Sequence, residues 1–181
     1  MPDDSPADSG GVVTASTDAG MLALWDAAAF GDVEGYDAWE ERVNERLPDA
    51  IRAGELVPLN IGFDGAWGVR VAVAPDGLTE RESQYAFVTS DPYLLVISGG
   101  TACLSGLETV GDPDAAALSV PLAAGRYAVR TTLVAWDEEP GSKGPDGSPT
   151  STALPDFVVR IEPASGTESF RLAEETFDRP A

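Results

Sequence analysis

Residues 125–136 alternate without a break. Tyr127, Val129, Thr131, Leu133 and Ala135 fall on one side, and Ala128, Arg130, Thr132, Val134 and Trp136 on the other. A period of two sustained over this length describes a β-strand and excludes a helix, whose apolar positions recur every three or four residues. Phe157, Val159 and Ile161 alternate with Val158, Arg160 and Glu162 in the same way, and Trp67, Val69, Val71 and Val73 share one face of another run. Strands of this pattern predict an antiparallel sheet with one face buried and one wet.

Shorter strands are predicted at residues 12–14, 21–25, 55–61, 84–89, 93–98, 101–104 and 119–122. Turn signals separate them: Asp18-Ala19-Gly20, Asp64-Gly65 as a hairpin turn, Asp76-Gly77, Asp91-Pro92 and Gly99-Gly100. Pro58 marks the 55–61 strand as an edge or a bulge. A further short strand is expected near residues 169–172. The expected fold is therefore mainly β, an antiparallel β-sandwich or open barrel with one amphipathic helix near the N-terminus.

That helix is predicted over residues 34–53, where Tyr36, Trp39, Val43, Leu47 and Ile51 recur at helical spacing and form one docking face. Pro48 inside the pattern predicts a kink or a break into two segments, and Gly54 ends it. Residues 1–11 read as a disordered acidic tail, residues 12–172 as a single β-rich domain and residues 173–181 as a C-terminal tail. The Gly- and Pro-rich connection over residues 137–155 is long for a compact domain, and its composition favours disorder.

Charge narrows the function. The chain carries 31 acids and 11 bases, for a net charge of −20. Ten of the acids precede the first base, Arg42. No nucleic-acid partner is expected, because a polyanion is held by Lys and Arg. No membrane partner is expected either, since an anionic surface repels this protein. A basic protein partner fits, because complementary fields speed encounter and reject wrong partners. Ten of the eleven bases are arginine, so acidity as salt or solubility adaptation of a structural or stress-related β-domain is the alternative.

The chemistry available for catalysis is thin. With no histidine, Ser-His-Asp and Cys-His arrangements cannot form. The glycines around Thr101 lack the Gly-Lys pair of a phosphate-binding loop, and no serine completes a nucleophile elbow. Asp112 and Asp114 are the least poor pair for a metal, yet no EF-hand pattern surrounds them. Neither an enzyme nor a cofactor is expected. Cys103 lies among apolar neighbours and reads as a small buried hydrophobe. At least three of Trp25, Trp39, Trp67 and Trp136 are expected in the core. The start Met1-Pro2-Asp3-Asp4-Ser5 lacks the charged and apolar regions of a secretory leader, so a cytoplasmic location is expected.

Three segments carry a resemblance: Ala53-Gly54-Glu55-Leu56-Val57-Pro58-Leu59, Gly62-Phe63-Asp64-Gly65-Ala66-Trp67-Gly68-Val69 and Pro121-Leu122-Ala123-Ala124-Gly125-Arg126-Tyr127-Ala128-Val129. In this order they resemble small uncharacterised all-β bacterial domains of toxin–immunity loci and, more distantly, the competence nuclease-inhibitor family. The resemblance covers roughly residues 12–163 and implies no catalytic residues. Together with the charge it implies an immunity or inhibitor protein that occludes a basic toxin or nuclease. The expected partner-binding residues are Asp32, Glu34, Asp37, Glu40 and Glu41 of the early acidic stretch, with Asp137, Glu138 and Glu139 of the long connection.

Overall fold

A computed structural model describes residues 10–178. Most of the expected acidic tail at 1–11 lies outside these residues. Two sheets face each other across one core. The larger has the order β1 (Val12–Thr17), β4 (Gly65–Val73), β10 (Phe157–Pro163), β9 (Gly125–Val134). The smaller runs β3 (Leu56–Asn60), β2 (Met21–Asp26), β7 (Thr101–Gly106), β8 (Leu118–Pro121). The arrangement is a sandwich rather than a closed barrel, and β3 is an edge strand, as Pro58 required.

The ten residues of β9 are long enough to hold two partners end to end on one side. β5 (Ala86–Thr89) pairs with its second half and β6 (Tyr93–Ile97) with its first. Asp91-Pro92 therefore joins two collinear strands. One turn expectation changes. Asp64-Gly65 does not close a hairpin, because β3 and β4 belong to different sheets. The sheet is also not wholly antiparallel, since β10 lies parallel to β4. No strand forms at 169–172.

The alternating strands put Val69, Val71, Val129, Leu133, Phe157, Val159 and Ile161 on one face of the larger sheet, in one core with Leu22, Leu24, Trp25 and Leu104 of the smaller. Trp25 meets Phe30 edge-on with ring centres 5.9 Å apart. Trp25 and Trp136 are buried, while Trp39 and Trp67 are half-buried against the core. Cys103 is buried as expected, and burial pushes its thiol pKa up.

The outer face of the larger sheet is wet only in part, at positions such as Thr14 and Ser16 of β1. Ala72, Val134, Trp136, Leu154 and Val158 form a second small core there. It is covered by a helix the alternation did not reveal, α3 (Glu80–Gln84), and by the 137–155 connection. Thr79 opens α3 with a reciprocal capping box to Glu82. The connection is held by its own bonds, Gly144 N–H to the Ser148 carbonyl at 2.8 Å and Thr150 N–H to the Ser142 carbonyl at 2.8 Å. Its composition suits tight turns as well as disorder, and the turns are what form.

The predicted helix is broken, as Pro48 foretold. It consists of α1 (Gly35–Trp39), a π-helical turn over Glu40–Glu45 and α2 (Leu47–Ala53), with Pro48 in the first turn of α2. Val43, Leu47 and Ile51 are buried, but Tyr36 is 73% exposed and does not dock. The π turn adds a residue per turn, so positions before and after it no longer share one face. Gly54 caps α2 in the left-handed conformation, and its carbonyl accepts from Val96 N–H of β6 at 2.7 Å. A Cβ at Gly54 would stand 2.7 Å from Leu94 Cγ, so the helix end reaches the strand this closely only with glycine.

The chain beyond β10 returns to the core. Arg171 N–H donates to the Pro92 carbonyl, Tyr93 Oη donates to the Ala173 carbonyl, and Phe177 packs edge-on against Phe157 at 5.6 Å. The domain boundary drawn at 172 thus stops short of a core residue. No helix among the described residues is long and apolar enough to cross a membrane.

Candidate functional site

The acids of residues 32–41 lie on the segment that leads from β2 into the broken helix. Asp32, Glu34, Asp37 and Glu41 are exposed, whereas Glu40 is half-buried and accepts from Asn44 Nδ2 at 2.9 Å. Glu41 is loosely compensated by Arg46 at 3.8 Å, an exposed pair that contributes little. Nearby, Arg42 turns inward. It donates to Glu55 at 2.9 Å and to the Ala29 carbonyl at 3.1 Å, and lies 4.7 Å over the Phe30 ring. Arg42 thus serves the fold, and Arg46 is an exposed base beside these carboxylates.

In their midst stand two aromatic rings. Tyr36 and Trp39 are 6.1 Å apart and tilted by 31°. Trp39 is anchored, because its Nε1 donates to the Leu107 carbonyl at 3.0 Å. Tyr36 rests on this neighbour and projects into solvent. The carboxylates of Glu40 and, less strongly, Asp37 press on its phenol and raise its pKa.

The two rings form one wall of a cavity of about 380 Å³. Val33 and Gly35 complete that wall, and Glu108, Thr109, Val110, Gly111 and Asp112 form the other. Gly111 has φ +100°, and a Cβ there would lie 2.7 Å from Val33 Cβ. The two walls close only because this residue has no side chain. Asp112 Oδ1 accepts from Asp114 N–H at 3.1 Å, so this pair caps a short turn, Pro113–Ala115.

The second acidic set does not join the first. Asp137, Glu138 and Glu139 follow β9 and belong to the cover of the larger sheet, away from the β7 end that anchors Trp39. Glu139 is engaged within the protein. Arg81 Nε and Nη2 donate to its two oxygens at 2.8 and 2.7 Å, and these bonds hold its pKa below the usual carboxylate value. Asp137 lies 3.5 Å from Lys143, and Glu138 is exposed.

Sequence reasoning missed Glu108, Gly111 and Asp112 as companions of the 32–41 acids. They are some seventy residues distant in the chain, and only the folding of β7 back beside α1 brings them near. For Tyr36 the helical spacing pointed the wrong way, toward the core.

The architecture recurs in solved structures. The protein titled Crocagin biosynthetic gene J superposes with a TM-score of 0.56 at 19% sequence identity, over 84% of this chain and 94% of that one. ComJ from Bacillus subtilis, an inhibitor of the DNA degrading activity of NucA, superposes with a TM-score of 0.50 at 8% identity, over 85% and 96%. What these chains share at such identities is the fold. No protein-family model and no curated protein matches the sequence.

Proposed function

We propose that this chain is a non-catalytic inhibitor or immunity protein whose acidic face around Tyr36 covers the substrate groove of a basic protein such as a nuclease or toxin. The observation that carries the reading is Tyr36 itself. It is 73% exposed among Glu34, Asp37 and Glu40 and rests on an anchored Trp39. Exposed aromatic anchors dominate the energetics of protein interfaces, while surrounding charges set encounter rates and partner choice. An acidic face suits a partner whose own groove is built to hold a polyanion.

The role of ComJ as an inhibitor of a DNA-degrading activity supports the inhibitor reading, and the −20 net charge supports the basic partner. Asp32, Glu34, Asp37, Glu40 and Glu41 would supply the contacts, with Asp137 and Glu138 as a more distant set. Glu139 takes no direct part while Arg81 holds it. The test is capture from the native cell extract at low salt, followed by assay of the captured protein. The expected product is a basic protein with nucleic-acid-degrading or other toxic activity that the chain suppresses. Capture of only neutral or acidic proteins, or of a basic one whose activity is unaffected, contradicts the reading.

A further inference from the structure

A second cavity adjoins the first. It measures about 420 Å³ and is lined by Thr14, Ser16, Asp18, Ser105 and Thr109, among others, and it shares Glu108 and Thr109 with the aromatic cavity. The two therefore form one track, running from the Tyr36–Trp39 pair past Glu108 to the exposed hydroxyls of β1. Its joint is fixed, because Glu108 accepts from Thr17 Oγ1 at 2.8 Å and from Asp18 N–H at 2.9 Å. One end is aromatic and the other is rich in hydrogen-bonding groups, and acids line its length: Asp18, Glu108 and Asp112.

We infer that this track receives an extended basic segment of the protein partner, with an arginine side chain seated against Tyr36 and Trp39. The inference rests on the proposed inhibitor reading and names what that surface grips. A guanidinium stacks on aromatic faces and meets carboxylates with a planar array of donors, so an aromatic pair ringed by acids selects arginine over an apolar side chain. The protein already uses this chemistry internally, where Arg42 lies over Phe30 and reaches Glu55. The hydroxyls of Thr14 and Ser16 line the second cavity, where they can serve the backbone of a segment continuing from that arginine, while Thr109 Oγ1 donates to the Gly106 carbonyl at 3.1 Å. A fixed Glu108 at the joint adds negative charge where the segment bends from one cavity to the other.

The test uses the full chain and an acetylated, amidated six-residue peptide with one arginine, beside a twin carrying neutral citrulline. Backbone amide shifts are followed by NMR during titration. The expected result is saturable shifts confined to residues 14–18, 35–39 and 106–112. Affinity should fall about tenfold with citrulline and again with Tyr36→Ala. Shifts scattered over other acidic positions such as Glu138 and Asp146, indifferent to Tyr36→Ala, overturn the inference. Two further outcomes separate it from the inhibitor reading. If a basic partner is captured and inhibited equally well by Ser16→Ala and Asp112→Asn while Tyr36→Ala weakens inhibition, the track is wrong and the inhibitor stands. If the peptide binds as described but no basic partner is captured, the inhibitor reading fails and the track stands.

Discussion

Arg70, in the middle of a strand, is joined to Glu82 of α3 by two parallel hydrogen bonds, Nε to Oε1 at 2.7 Å and Nη2 to Oε2 at 2.6 Å. Both residues are buried, and the same Nη2 donates to the Gly77 carbonyl at 2.7 Å. The pair clamps α3 onto the outer face of the larger sheet. Removing the guanidinium with Arg70→Ala leaves a buried, uncompensated carboxylate and should cost about 3–5 kcal/mol in urea unfolding. A loss within about 1 kcal/mol would show that α3 contributes little to the fold.

The same pair sets an acid limit. Burial disfavours the charge on Glu82, but hydrogen bonds from Arg70 and Thr79 outweigh it and hold the pKa below the unfolded value of 4.5. A depressed carboxylate adds stability that is complete above the unfolded pKa and fades as pH falls toward the folded one. Stability of the wild type should therefore drop as pH falls below about 4.5. Arg70→Met with Glu82→Leu should flatten this part of the pH profile. An unchanged slope in the double variant would assign the acid limit to other groups.

Glu168 gives a local check on the segment after β10. It accepts from the Ser165 and Gly166 N–H groups and from Ser165 Oγ, and these bonds bring its pKa down to about 2. An NMR titration should find the Glu168 carboxyl still ionised at pH 3. A midpoint near 4.5 would mean that this turn does not persist in solution.

Val43 and Tyr36 lie on the same broken helix but should respond in opposite ways. Val43 is fully buried, so Val43→Asp buries an unpaired charge and should cost about 3 kcal/mol or more. Tyr36→Ala should change stability by less than about 0.5 kcal/mol, because the side chain is solvent-exposed. Thermal unfolding of the two variants decides the matter. A large loss from Tyr36→Ala would return that ring to the core.

Gly111→Ala tests the shape of the aromatic cavity. Its φ of +100° strains any residue with a side chain, and the new Cβ would force Val33 aside. The expected cost is about 1–3 kcal/mol, with NMR shifts at Val33, Tyr36 and Trp39. Unperturbed resonances at these positions would show that the wall does not rest on Gly111.

The strands were legible because alternation is a local signal. Residues 125–136, 67–73 and 157–162 carry it in full, and so a mainly β fold could be read directly, but these three strands lie side by side in one sheet and left sandwich and open barrel equally open. Pairing was not legible, since nothing local distinguishes a turn such as Asp64-Gly65 that closes a hairpin from one that crosses between sheets. The outer face seemed wet because Arg70 and Arg130 alternate into it, yet Arg70 is buried by its partner from α3. That short helix did leave a trace, the Thr79-x-x-Glu82 capping box. The acids of 32–41 were visible in the sequence as charge, but their aromatic centre was not. Tyr36 is separated from its helical face by a π turn that spacing cannot show.

Association kinetics test the central claim most directly. Asp37, Glu40 and Glu41 changed together to Asn or Gln should leave the fold intact and remove much of the field that steers a basic partner. With the captured partner, stopped-flow association of this variant should be slower by about tenfold or more in dilute buffer and should depend less on salt. Tyr36→Ala should instead act mainly on the dissociation rate. Rates that are the same for wild type and both variants at every salt concentration would contradict the account and leave the acidity as solvation alone.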